Sequence, residues 1–322
     1  MDNITILGAG SSGLALIEEI RAKNTSCNIA LMDKNNYSYS KSELISSPGD
    51  ISKKIDLDEW TKMRGVEFVP AFVERINPRR RKIYFKEGEP RDFDNLIIAS
   101  GLSSKKLPVK GEHREGFFYL SDIDIFKLRS LLRISKEACV YVSTWLGLRL
   151  AIALVGLGKE VSIVSADLNF LGEDKEKVVN ALGAKNITLY LDAFIEEAVG
   201  EGVVKAAKLS PLMVFSCQLV FIDSGFVPNL KFFEDDIISE DNFFTNFENI
   251  YLLGDVNRKD ISQEVFFRSS YEDVKGEAHI FAEFIATGVR PTFSKQVIVD
   301  NSVRINSEDI LKEVESWQSG LV

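Results

Sequence analysis

The chain has 322 residues, 45% of them hydrophobic and 27% charged, with a formal net charge of −9 at pH 7. This apolar share is enough for two or three packed domains and excludes a disordered chain. The acidic balance argues against non-specific binding of nucleic acid, which requires a surplus of Lys and Arg.

The first strand begins at about Asn3 with no basic flank before it, which predicts no signal peptide. The longest apolar run, around residues 151–156, is too short to span a bilayer. We therefore expect a cytoplasmic protein without a membrane span.

The first motif in the chain is an apolar strand that runs into a glycine-rich turn and a helix. Residues 4–13 read ITILGAGSSG, which places Gly8, Gly10 and Gly13 in the pattern G-x-G-x-x-G. Free N–H groups at such a helix start attract a pyrophosphate, and glycine lets the phosphates approach the backbone. The next strand ends at Asp33, 20 residues beyond Gly13, where an acid can accept from the adenosine ribose hydroxyls. These residues predict a dinucleotide site.

The segments that follow alternate between strand-like and helix-like patterns. In chain order the sequence predicts a polar stretch at 33–54, a helix at 57–63, strands at 66–73, 76–85 and 94–99, and a helix at 122–132. A second strand–helix–strand unit follows, with strands at about 139–143 and 160–164.

The turn of this second unit differs from the first. Residues 138–147 read ACVYVSTWLG, so that Val142 and Thr144 stand at the first two glycine positions and only Gly147 remains. A Cβ at position 144 intrudes on the space of a coenzyme diphosphate. We predict that this unit folds but does not bind NAD(P)H efficiently.

The acidic residue of the second unit is also displaced. By analogy with Asp33, which directly follows its strand, the acid position falls at Ser165. Asp167 comes two residues later and is an alternative acceptor if the loop is shifted. A neutral residue at this position removes a charged hydrogen-bond acceptor, which weakens ribose binding by about 1.5–3 kcal/mol.

The remaining segments predict strands near 187–191, 219–222 and 250–253, and a C-terminal helix. Val274, Ala278, Phe281 and Ile285 recur at spacings of 4, 3 and 4, which is one face of a helix that Gly288 would end. A strand near 297–303 and a helix near 307–317 are predicted for the tail.

Cysteines and histidines are few and scattered. Cys27, Cys139 and Cys217 form no C-x-x-C pair, and His113 and His279 lie far apart. We therefore predict no metal site and no redox disulfide, and the catalytic residues stay unassigned.

Three segments resemble those of flavoproteins with two dinucleotide-binding domains. Residues 94–101 (DNLIIASG) are similar to "YDxLIIATG", residues 222–229 (IDSGFVPN) to "AxGxxPN", and residues 250–256 (IYLLGDV) to "IYAxGDV". The order and spacing match over about residues 1–290, so the chain is identified as a member of the FAD-dependent pyridine nucleotide oxidoreductase superfamily. Within it, the chain resembles the NADH:rubredoxin reductase and nitrite reductase flavin-domain groups.

The resemblance implies an α/β fold with two nested Rossmann-like domains built on three-layer parallel sheets. The expected segments are an FAD-binding domain in two parts, 1–108 and 226–290, a degenerate NAD-binding-like domain at 109–225, and a short tail at 291–322.

FAD is the implied cofactor. The residues that the resemblance assigns to it are Gly8, Gly10, Gly13, Asp33, Lys41, Ser100, Gly101, Gly254 and Asp255. Lys41 lies in a segment that loosely resembles "PYxRPxL", and Asp255 would accept from the ribityl hydroxyls. The helix after the Gly254–Asp255 pair, starting in the region 269–276, would direct its N-terminus at the flavin.

The sequence therefore predicts an FAD-dependent oxidoreductase that passes electrons through a flavin to or from a carrier other than NAD(P)H. The expected partner is an electron-carrier protein or a small-molecule acceptor. Two alternatives are an FAD-binding non-catalytic or redox-sensing subunit of a complex, and an NAD(P)H-dependent flavin reductase with an atypical nicotinamide site. The donor, the acceptor and the oligomeric state are left open.

Overall fold

The structure is a computed structural model. It describes residues 1–23, 26–183, 187–241, 243–257, 271–291, 310–312 and 314.

The described part of the chain forms seven α-helices and 22 strands. The helices are α1 (Ser11–Ala22), α2 (Lys41–Ser46), α3 (Leu57–Lys62), α4 (Ile125–Ile134), α5 (Trp145–Gly156), α6 (Lys175–Gly183) and α7 (Tyr271–Thr287). The strands are β1 (Asn3–Leu7), β2 (Asn28–Asp33), β3 (Tyr37–Ser38), β4 (Ile55–Asp56), β5 (Glu67–Pro70), β6 (Val73–Asn77), β7 (Lys82–Phe85), β8 (Arg91–Asp92), β9 (Asn95–Ile98), β10 (Leu102–Ser104), β11 (Phe117–Tyr119), β12 (Glu137–Tyr141), β13 (Glu160–Ser165), β14 (Thr188–Leu191), β15 (Phe194–Val199), β16 (Ala206–Ser210), β17 (Met213–Ser216), β18 (Leu219–Ile222), β19 (Phe226–Pro228), β20 (Ser239–Asp241), β21 (Phe244–Thr245) and β22 (Ile250–Leu252).

The first large sheet combines strands from the beginning of the chain with strands from residues 239–252. Its strand order is β20-β21-β22-β9-β1-β2-β5, and the five strands from β22 to β5 are parallel. The chain moves from β1 to β2 on one side, whereas β9 lies on the other side of β1. The carboxyl ends of β1 and β9 therefore form a topological switch point, which is where open α/β sheets bind ligands.

The second large sheet repeats this arrangement. Its order is β11-β18-β12-β13-β14, and all of its strands are parallel. Here β12 takes the place of β1, and the switch point lies between β12 and β18. The predicted α/β class with parallel sheets is confirmed, and the domain boundaries stay a prediction.

The chain passes between the two sheets along a short antiparallel ribbon. Strand β10 leads out of the first sheet and pairs with β19, which leads back. Just beyond the ribbon, the N–H of Lys105 donates to the carbonyl oxygen of Gly225 at 2.9 Å. The segment between these two residues therefore begins and ends at one point.

The core explains why α1 and α7 lie against each other. The apolar side of α1, which includes Leu16 and Ile17, is fully buried, and so is Phe281 of α7. The predicted apolar face of α7 is buried as expected, and Gly288 follows the helix with a φ of +73°.

Three parts of the fold differ from the sequence prediction or add to it. The stretch 33–54, described from sequence only as polar, contains helix α2 and strand β3. Strands β15, β16 and β17 form a separate antiparallel sheet that the sequence pattern did not predict. The segment 76–85, predicted as a strand, is a hairpin of β6 and β7 with a turn between them.

Part of the predicted tail lies outside the described residues. This applies to the strand at 297–303 and to most of the helix at 307–317, of which residues 310–312 and 314 are helical. Among the helices of the described ranges, none combines the length and apolar character needed to cross a membrane.

Candidate functional site

A cavity of about 650 Å³ opens at the switch point of the first sheet. The first glycine turn, the crossover from β9 to β10 and the 3-10 turn Gly254–Asn257 all contribute to its wall. The predicted site residues that line it are Gly8, Gly10, Asp33, Lys41, Ser100, Gly101 and Asp255. Gly13 and Gly254 support the turns behind the wall. The structure thus brings the predicted set together, and its role in binding FAD stays a prediction.

The three glycines of the first turn face different surroundings. Gly8 has a φ of +112°, and a Cβ there would overlap the carbonyl of Ala99. A Cβ on Gly13 would overlap the carbonyl oxygen of Gly8. A Cβ on Gly10 would meet no atom within 4 Å. Packing therefore requires glycine at positions 8 and 13, whereas position 10 faces open space suited to a close-lying phosphate.

Asp33 is held against the glycine turn. Its Oδ2 accepts from the N–H of Ala9 at 2.8 Å, and its Oδ1 accepts from the N–H of Asn35 at 2.9 Å. A carboxylate has about four lone-pair sites, so both oxygens retain capacity for the hydroxyls of a ribose.

The crossover residues are fixed by bonds to the returning chain. The hydroxyl of Ser100 donates to the carbonyl oxygen of Asn229 at 2.8 Å, and the N–H of Asn229 donates to the carbonyl oxygen of Gly101 at 3.0 Å. This pairing holds the cavity wall in place at the entrance to the second sheet.

Lys41 brings a half-buried amine to the same cavity. It begins helix α2, and its Nζ lies 3.4 Å from the carbonyl oxygen of Leu102. Burial lowers the pKa of Lys41, while the carboxylates of Asp122, Asp255 and Asp33 oppose this. An amine in this position would stabilise an anionic cofactor.

The Gly254–Asp255 turn closes the wall over the start of α1. Gly254 has a φ of +78°, and a Cβ there would overlap the Ser12 side chain. The predicted flavin-facing helix start spans 269–276, of which residues 269–270 lie outside the described part and Tyr271 begins α7.

The corresponding junction in the second sheet is built differently. Thr144 is the N-cap of α5, and its Oγ1 accepts from the N–H of Leu146 at 3.2 Å. Val142 is fully buried. Ser165 donates from its hydroxyl to the carbonyl oxygen of Val142 at 2.7 Å, so it bonds to the turn itself.

Asp167, the alternative acid, is engaged in a local turn. Its Oδ1 accepts from the backbone N–H of Asn169 and its Oδ2 from the Asn169 side-chain amide, both at 2.9 Å.

A carboxylate that the sequence analysis did not single out lies at the start of α5. Asp223 directly follows β18 and is 0% exposed. Its Oδ2 accepts from the N–H of Thr144 at 2.7 Å, from the Thr144 hydroxyl at 2.9 Å, and from the N–H groups of Ser143 and Gly147 at 3.2 Å. Its Oδ1 is buried with no hydrogen-bond partner in the described part of the chain.

Two effects on the Asp223 carboxyl oppose each other. Burial raises its pKa above the usual range of an aspartate, and the hydrogen bonds from Thr144, Ser143 and Gly147 offset this rise only in part. A signal for this residue was present in the sequence, because Asp223 stands where the "AxGxxPN" pattern has alanine.

The thiols lie away from the cavity. Cys139 and Cys217 are buried in the second domain's core, and burial raises the pKa of Cys217 to about 12. Among the described residues, no group of three or more His, Cys, Asp or Glu side chains is placed to hold a metal ion.

Two parallel sheets, each with a strand–turn–helix unit at its switch point, define a class of dinucleotide-binding α/β proteins. Residues 2–274 match the family model described as pyridine nucleotide-disulphide oxidoreductase. The chain belongs to this family. FAD is the family's cofactor, so the predicted superfamily and cofactor are confirmed.

Relatives of known name are distant. The chain is 25% identical to human apoptosis-inducing factor 3 over 272 residues, which cover 79% of this chain and 45% of the relative. It is 23% identical to rubredoxin-NAD(+) reductase of Pseudomonas putida, covering 78% of this chain and 71% of that protein. The chain thus spans about half the length of apoptosis-inducing factor 3.

Solved structures share the fold. An NAD-dependent persulfide reductase from A. fulgidus superposes with a TM-score of 0.76 at 20% identity, covering 90% of this chain and 60% of that one. Putidaredoxin reductase in its covalent complex with putidaredoxin gives 0.72 at 17% identity, covering 91% and 77%.

Proposed function

We propose that this chain is an FAD-dependent oxidoreductase that passes electrons through its flavin to or from a carrier other than NAD(P)H. One observation carries the proposal, namely the contrast between the two switch points. The first has an open glycine turn beside a cavity, whereas the second has side chains at the positions of Val142 and Thr144.

The residues around the cavity fit FAD. Gly10 leaves room for the diphosphate beside the start of α1, Asp33 offers acceptors to the ribose, and Lys41 lines the cavity with its amine. When bound, FAD would supply the redox chemistry. The chain itself would bind and orient it, and Ser100 would keep the crossover wall against it through its bond to Asn229.

The partner is an electron-carrier protein in this proposal. Support comes from the superposition on putidaredoxin reductase, a protein whose structure was solved in complex with its carrier. A small-molecule acceptor is the other form of the same function.

Anaerobic reduction of the purified flavoprotein tests the donor. We expect excess NADH and NADPH to leave the flavin absorption band unchanged over the period in which dithionite bleaches it. Reduction by a low-potential carrier such as reduced viologen would then support electron transfer. A flavin that only dithionite reduces would favour the non-catalytic or redox-sensing subunit.

A second candidate is an NAD(P)H-dependent flavin reductase with an atypical nicotinamide site. Several relatives favour it, because they are known as rubredoxin-NAD(+) reductases. Rapid bleaching of the flavin by NADH would support this candidate and refute the first.

A further inference from the structure

Asp223 holds the same position in the second sheet that Ala99 holds in the first. Leu7 of β1 pairs with Ile98 of β9, and Tyr141 of β12 pairs with Ile222 of β18. The next residue after β9 is Ala99, and the next residue after β18 is Asp223.

Backbone bonds confirm this equivalence. The N–H of Ala99 donates to the carbonyl oxygen of Leu7 at 2.8 Å, and the N–H of Asp223 donates to that of Tyr141 at 2.9 Å. The two switch points therefore have the same backbone register, with a methyl group in one and a carboxylate in the other.

Two of the N–H groups that bind the Asp223 carboxylate, those of Thr144 and Gly147, lie at the start of α5, where a dinucleotide site binds its diphosphate. The first N–H groups of a helix have no partner within the helix, and in such sites they point at the diphosphate. At the start of α5, the N–H groups of Ser143, Thr144 and Gly147 all point at Oδ2 of Asp223. A Cβ on Gly147 would overlap the Asp223 side chain, which shows how closely the carboxylate is packed.

We propose that the Asp223 carboxylate takes the place of a coenzyme diphosphate at the second switch point and is the residue that excludes NAD(P)H from this unit. The inference rests on the proposed function, because it names the group that enforces the carrier preference. An incoming diphosphate would find the N–H groups of Thr144 and Gly147 already bonded to Asp223 and would meet the Asp223 side chain at the same position. Glycine at positions 142 and 144 would not remove either obstacle.

The proposal is tested with variants that change the glycine positions and the Asp223 carboxylate independently. The starting background is the double variant V142G/T144G, which restores the glycine pattern and keeps Asp223. Adding D223A places at this position the residue that the chain itself has at Ala99. ADP-ribose is the probe, because it carries the diphosphate and ribose but cannot reduce a flavin, and calorimetry of the FAD-loaded protein measures its binding.

We expect no saturable binding of ADP-ribose to the wild type or to V142G/T144G, and at least tenfold tighter binding to V142G/T144G/D223A. Equal affinity with and without D223A would overturn the inference, and so would binding to the wild type or a folded triple variant that does not bind. Flavin content and thermal unfolding report whether each variant is folded. If D223A does not fold, D223S supplies a small hydroxyl acceptor for the α5 N–H groups and is tested in the same background.

This test is separable from that of the proposed function. Tight binding of ADP-ribose to V142G/T144G would refute the proposed role of Asp223, but it would not bear on which electron carrier the wild type uses. Rapid reduction of the wild-type flavin by NADH would refute the proposed function, whatever the variants bind.

Discussion

The glycines of the first turn are subject to different constraints. Gly8 and Gly13 are fixed by contacts within the protein, whereas a Cβ on Gly10 would enter only open space. The G-x-G-x-x-G pattern thus contains two glycines that the fold needs and one, Gly10, that we propose is needed by the ligand.

A pair of alanine variants tests this division. We expect Gly10→Ala to change the unfolding free energy of the apoprotein by less than about 1 kcal/mol and to weaken FAD binding at least tenfold. Gly13→Ala, the matched control, should destabilise the apoprotein by about 1–3 kcal/mol because its Cβ overlaps backbone. Urea unfolding and FAD titration measure the two effects. Normal FAD affinity in Gly10→Ala would refute the cofactor position.

Lys41 is a half-buried lysine whose effect on stability has a defined sign. Burial lowers its pKa below the ordinary value of 10.5. Between the folded and the ordinary value, the unfolded chain binds more protons than the folded one, so this lysine makes stability rise with pH. We expect Lys41→Met to remove that rise in the apoprotein and to weaken FAD binding at least tenfold.

Urea unfolding of the apoprotein across alkaline pH, up to 10.5, measures the slope. Lys86→Met, at an exposed position, is the control and should retain the wild-type slope. A slope in Lys41→Met equal to that of the wild type would contradict the assignment.

Among the elements, α7 packs against α1, the helix that follows the first glycine turn. Phe281 is fully buried and contacts the rings of Phe243, Tyr251 and Phe284, in the same cluster as the apolar side of α1. The turn that would hold FAD therefore depends on an aromatic cluster formed by residues more than 200 positions later in the chain.

We expect Phe281→Ala to cost about 3–5 kcal/mol of unfolding free energy and to lower the FAD content of the purified protein. Ile134→Ala, at a position that is 79% exposed, should change the free energy by less than about 0.5 kcal/mol. Thermal unfolding and flavin absorbance measure both effects. A Phe281→Ala protein with wild-type stability would show that this cluster does not carry the cofactor turn.

Elements with strong periodic patterns could be predicted from the sequence, and elements without them could not. The face of α7 was visible because its apolar residues repeat over several turns. Helix α2 has only six residues, too few for such a repeat. In β15 a register shift between Ile195 and Glu197 breaks the alternation that would have marked a strand.

The site was predictable to the same degree. Glycines and Asp33 follow a known spacing, so the first switch point could be placed from sequence. Asp223 accepts a hydrogen bond from Thr144, which lies 79 positions earlier in the chain. The pairing of β12 with β18 brings the two residues together, and local sequence patterns do not reveal that pairing. Its role became evident only when the two sheets could be compared strand by strand.

At the scale of the whole molecule, the segment that forms the second sheet is inserted between strands of the first sheet, and the two ends of this segment lie side by side. Lys105 and Gly225 are hydrogen-bonded to each other at the base of the β10–β19 ribbon. The first sheet contains strands from before and after this insertion, so its pairing does not depend on the segment between them.

Removing that segment tests the independence of the first sheet. We expect a chain that joins Lys105 to Gly225 through a short Gly/Ser linker to unfold cooperatively and to bind FAD more weakly than the full chain. Affinity should fall because residues 120–125 line the cavity and would be lost. Circular dichroism and FAD titration measure the outcome. A chain without a cooperative transition would show that the first sheet requires the insertion.

The Asp223 carboxylate also bears on how such a protein can change over generations. Glycine at position 144 alone would leave the carboxylate in place, and alanine at position 223 alone would strip the start of α5 of the acceptor for several of its N–H groups. If Asp223 has the proposed role, restoring coenzyme binding would therefore require changes at both positions, because neither single substitution both removes the carboxylate and clears position 144.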